Sequence, residues 1–142
     1  MLGVIFFIIA GAAMSFQGVM NTRLGEKAGI FEANAFVQGT AFILSVIVML
    51  IFGSGSIKAL FEADKIYLTG GVIGIVITVT VMLAIANLSP TVAISIILIS
   101  QLLVAAGIDA FGLLDSAKVE FGLTKYIGTA LMIAGVLLFK FK

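Results

Sequence analysis

Five apolar runs, each close to twenty residues, take up nearly the whole chain and are parted only by short polar stretches. A helix of about 20 such residues crosses the roughly 30 Å of a bilayer's hydrocarbon. The runs read as helices over residues 2–22, 31–53, 66–88, 90–114 and 122–140, in a single transmembrane domain covering 1–142. Hydrocarbon offers no water to an open backbone group, so only helices and closed barrels cross it. The β-branched run VIGIVITVTV would favour a strand in water, but here it is expected to be helical. The fold class that follows is an all-α integral membrane protein with five transmembrane helices, multi-pass in the cell (plasma or inner) membrane.

Composition closes off other classes. Apolar residues are 62% and charged residues 11%, against roughly 25% charged in soluble domains. A net charge of +1 supplies no basic stripe, so nucleic acid is not an expected partner. The chain has no cysteine and no histidine. It therefore lacks disulfides, thiolate chemistry and the usual proton-transfer side chain. No Ser-His-Asp set, phosphate loop or metal-ligand cluster is visible, so neither enzyme activity nor a cofactor or metal is expected. Ala10-Gly11-Ala12 offers a cleavage-like site. The start MLGVIFF carries no Lys or Arg, and the apolar stretch runs on to Val19, so a retained first helix is expected rather than a signal peptide.

The connections are TRLGEKAG, GSGSIKALFEADK, almost nothing at Ser89-Pro90, and DSAKVE. Proline suits the first turn of a helix, so the fourth helix should begin at Pro90, in a tight hairpin with the third. ALFEAD suggests a short interfacial helix, and Tyr67 and Tyr126 fall at helix starts, where amphipathic rings favour the interface. Five spans put the termini on opposite sides. The N-terminal side then carries Lys58, Lys65, Lys118 and Lys125, and the other Arg23, Lys27, Lys140 and Lys142. Orientation normally follows an imbalance of Lys and Arg, and here there is none. Either a partner fixes the topology, or copies insert both ways and pair antiparallel.

Polar side chains inside spans mark helix contacts or a substrate path. Gln17 and Asn21 lie one turn apart on the first helix, and Asn34 and Gln38 repeat the spacing on the second, with Ala41 and Ser45 continuing that face. Asn87 ends the third. Gln101 sits near the middle of the fourth helix, and Asp109 about two turns later is the most deeply placed ionisable group. Gln17, Asn21, Asn34, Gln38, Gln101 and Asp109 are the candidate substrate-binding residues. Interhelical adhesion is the competing role for the amides, and hydration or pairing with Lys118 or Lys125 is the competing role for Asp109. In an antiparallel pair, Asp109 of one copy comes level with the amides of the other. Gly11, Gly18 and Gly25 recur every seven residues, Gly70 and Gly74 are four apart, and Gly128 and Gly135 are seven apart. Small residues of this kind let helices approach closely.

QLLVAAGIDAFGLLD followed by KYIGTALMIAGVLLF resembles the C-terminal half of the YdcZ-like proteins, a family in the drug/metabolite transporter superfamily. GAAMSFQGVMNTRLGEKAG and ANAFVQGTAFILSV resemble that family's first two helices, so the likeness covers essentially the whole chain. SPTVAISIILIS and IGTALMIAGVLLF are more distantly similar to the last two helices of the four-span small multidrug resistance transporters. These resemblances imply half of a ten-helix inverted-repeat transporter, assembled as an antiparallel dual-topology homodimer. They imply an exporter of a small-molecule or ion substrate working by alternating access, with Gly128 and Gly135 as the dimer contact. The small multidrug family carries an essential glutamate in its first helix, where this chain has Gln17. A carboxamide releases no proton, so that family's proton exchange does not transfer. A small channel lined by amides and serines, or an accessory half needing a paralogous partner, are the alternative expectations.

Overall fold

The structure is a computed structural model describing residues 2–119 and 122–140. Lys142, counted above among the charges, and Glu120 of the fourth loop lie outside the described residues. The elements are α1 (Leu2–Ala28), α2 (Ile30–Phe52), a short α3 (Ile57–Glu62), a 3-10 segment (Lys65–Thr69) running into α4 (Gly70–Asn87), α5 (Pro90–Phe111) and α6 (Leu123–Lys140). Four stretches are long and apolar enough to cross a membrane: α1, α2, Lys65–Asn87 and α5. A fifth, Leu123–Leu138, is apolar but shorter. VIGIVITVTV is helical within α4, and the expected short helix forms as α3.

The chain divides into two compact units, Met1–Asn87 and Leu88–Lys142. In the first, α1 packs against both α2 and α4, and α2 also meets α4. Gly29 alone joins α1 to α2, at φ 99° and ψ 144°. A side chain is strained at that φ, so glycine is needed there. Gly29 hydrogen-bonds to both helices. The Gly29 N–H donates to the Gly25 carbonyl at 2.9 Å, and the Ala33 N–H donates to the Gly29 carbonyl at 3.0 Å. α1 thus outlasts its apolar run and ends in a solvated turn where Arg23 pairs with Glu26 at 2.9 Å.

Few side chains are hidden. Among the described residues the buried apolar ones are Ala33, Met82, Ile85 and Ala93, while Phe7, Phe31, Leu50 and many others stand exposed. Apolar residues exposed along whole helices suit lipid rather than water. The α1–α4 contact depends on glycine. A Cβ on Gly18 would lie 3.0 Å from Ile85 Cδ1 and 3.2 Å from Val81 Cγ1, and one on Gly25 would lie 3.4 Å from Met82 Sδ. Gly11, the third member of that seven-residue series, faces open space.

The second unit packs α5 against α6. α5 starts at Pro90, and the Ser89 hydroxyl accepts from the Val92 N–H at 3.4 Å. It stops at Phe111 although the apolar run continues, because Gly112 takes a left-handed cap (φ 62°) and donates its N–H to the Ile108 carbonyl. The chain then folds back, and the Val119 N–H donates to the Asp109 carbonyl at 2.9 Å.

Replacing Gly18 with leucine should force Val81 and Ile85 aside. We expect a loss of about 1–3 kcal/mol of stability in mixed-micelle unfolding. Gly11→Leu should stay within about 0.5 kcal/mol of the parent. Equal losses for both would contradict the Gly18 contact.

Candidate functional site

The turn at Gly29 sets the register of the α1–α2 hairpin. A Cβ on Gly25 would sit 3.6 Å from the Ile30 Cα. One helical turn on from that Gly25–Ile30 approach stand Asn21 and Asn34, and a turn further Gln17 and Gln38. α4 adds Thr78. Its hydroxyl donates to the Gly74 carbonyl at 2.9 Å and accepts from Gln38 Nε2 at 3.4 Å. Gln17, Asn21 and Thr78 line one cleft with Met14, Gly18, Ile77 and Val81. Asn21 and Asn34 are each only 8% exposed. The Asn34 Oδ1 is buried with no hydrogen-bond partner among the described residues. An acceptor left unmatched in this way calls for an explanation.

The fold thus brings Gln17 and Asn21 into one cleft between α1 and α4 and bonds Gln38 of α2 to its wall, while Asn34 is buried on α2 and does not line it. It also adds Thr78, which the sequence did not single out. Thr78 and Thr80 look alike in VITVTV, but Thr80 bonds only to its own helix, at the Val76 and Ile77 carbonyls. Asn87 likewise turns back, its Nδ2 donating to the Leu83 carbonyl at 2.7 Å. The cleft is small, about 50 Å³. A water takes roughly 30 Å³ of liquid, so this space suits water or a small ion, not an organic solute.

Space for a solute occurs in the second unit. Leu102, Ala105, Ala106 and Asp109 of α5 and Lys125, Gly128, Thr129 and Met132 of α6 line a pocket of about 470 Å³. Small-molecule sites commonly fall between about 300 and 1,000 Å³, with mostly apolar walls and a few polar groups. Asp109 is half-buried, and among the described residues its carboxylate has no hydrogen bond or ion pair. The Thr129 hydroxyl donates to the Lys125 carbonyl at 2.9 Å. A Cβ on Gly128 or Gly135 would meet nothing within 4 Å. Gln101 is exposed on α5 and is not part of this pocket. The i, i+3 and i, i+4 spacing of Lys125, Gly128 and Thr129 was readable in the sequence, but only the α5 contact gives it meaning.

Spans of this length and composition define a multi-pass membrane protein. The chain matches the DMT_YdcZ family, described as "Putative inner membrane exporter, YdcZ", over residues 2–138, and belongs to that family. That membership, with several membrane-capable helices, makes it a multi-pass inner-membrane protein. No curated protein and no solved structure matches the chain.

Leucine has the branched shape of asparagine and carries no acceptor. Asn34→Leu should leave stability unchanged or raise it by up to about 1 kcal/mol, because it removes a buried oxygen that no described residue satisfies. Gln38→Leu should lower it by about 0.6 kcal/mol through the bond to Thr78. Thermal or denaturant midpoints of the purified variants would show whether the signs differ.

Proposed function

We propose that the chain is one half of an exporter for a small organic solute, working by alternating access as an antiparallel homodimer. The observation that carries the reading is the solute-sized pocket walled by two apolar helices, with a carboxylate on its lining that has no partner among the described residues. An acid so placed costs free energy that a merely structural helix pair has no need to spend. The family supports export as the direction. Equal numbers of Lys and Arg on the two sides support insertion both ways.

Several features are left incomplete in one copy. Gln101 stands exposed in the middle of an apolar helix, where lipid offers a carboxamide no partner. Gly128 and Gly135 leave a smooth stripe on α6, and Gly128 also edges the pocket. A partner helix laid on that stripe closes the pocket from the side. In the antiparallel arrangement the Gln17, Asn21, Asn34 and Gln38 seam of the partner comes level with Asp109. The unmatched Asn34 oxygen then has a use as an acceptor for a donor group that moves through the site.

Two measurements test this. First, untargeted mass spectrometry of the medium should find at least one solute accumulating with the parent chain and falling at least tenfold with Asp109→Asn at equal membrane abundance. Identical media for the parent and for cells lacking the protein would overturn export. Second, single cysteines in the cysteine-free chain, at Ser56→Cys and in an extension after Lys142, should each label partially with an impermeant thiol reagent in intact cells. Labelling of one site alone would replace the homodimer with an oppositely oriented partner subunit.

A further inference from the structure

The pocket between α5 and α6 also says what kind of solute fits. Its lining holds one acid, Asp109, one base, Lys125, and one hydroxyl, Thr129, among apolar side chains. Asp109 is not paired with Lys125 in this arrangement, and Lys125 keeps an interaction of its own. The two charges therefore flank the space instead of closing it. A solute bearing only a cation would satisfy Asp109 but meet the field of Lys125. A solute bearing only an anion would do the reverse. A lining charge of the solute's own sign is costly for the wrong partner and so discriminates against it. A metal ion is poorly served, because among the described residues no three acidic side chains gather to hold one.

We infer that this pocket takes an amphipathic zwitterion: an ammonium directed to Asp109, a carboxylate directed to Lys125, and an apolar body against Leu102, Ala105, Ala106 and Met132. The inference rests on the export reading for its biological sense and names the substrate class of that site. The Thr129 hydroxyl spends its hydrogen on the Lys125 carbonyl, so its oxygen can only accept. It thus adds a second acceptor for the ammonium. The apolar walls cover the body of the solute. They also disfavour a polar zwitterion of the same charge pattern.

The test is equilibrium binding to the purified full chain in lipid nanodiscs, with no gradient, so that it reads the pocket independently of transport. Phenylalanine, phenylalaninamide and 3-phenylpropanoate share one apolar body and carry both charges, the cation alone and the anion alone. Phenylalanine should bind at least tenfold more tightly than either analogue. Asp109→Asn should abolish its advantage over 3-phenylpropanoate, and Lys125→Gln its advantage over phenylalaninamide. That crossed pattern cannot arise from misfolding, and the wild-type comparison needs no variant at all. Phenylalaninamide binding as tightly as phenylalanine would make the site a plain cation site and overturn the inference. No binding of any of the three to folded protein would also overturn it, while an exported solute found in the medium would leave the export reading standing.

Discussion

Lipid does not reward the burial of a leucine, since the chains around it are as apolar as any protein core. Most of the structure follows from that limit. With no hydrophobic gain between helices, contact has to come from close approach and from polar groups that lipid cannot satisfy. Gly18 and Gly25 supply the first, letting α4 lie against the backbone of α1. The hydrogen-bonded run from Gln38 through Thr78 to the Gly74 carbonyl supplies the second. The large side chains point outward because nothing inside would hold them better.

The same limit decided what could be read from the sequence. The spans were legible, since length and apolarity are local properties and lipid forces the helix. Pro90 marked the start of α5, because proline's preference for a first helical turn is local too. The amides were legible as pairs at one-turn spacing. What could not be read was partnership across helices. Nothing local separates Thr78 from Thr80, or tells that Gly18 is packed and Gly11 is not. The extension of α1 through Arg23 and Lys27 was hidden for a related reason: apolarity marks where lipid ends, not where the helix does.

Two kinds of polar site coexist in this chain and differ in scale. The seam between α1 and α4 is narrow and lined by two carboxamides and a hydroxyl, which can donate and accept without changing charge. The pocket between α5 and α6 is roomy and carries fixed charges. The seam offers donors and acceptors without fixed charge, whereas the pocket presents both signs of charge around one space.

The one-residue link at Gly29 has a mechanical consequence. A single residue parts α1 from α2, and its N–H closes one helix while its carbonyl opens the next, so the link has little length to give. A shift of α1 is therefore passed directly to α2. The stretch beyond Phe52 is the opposite case, where two glycines and two serines before α3 leave the backbone freer to turn.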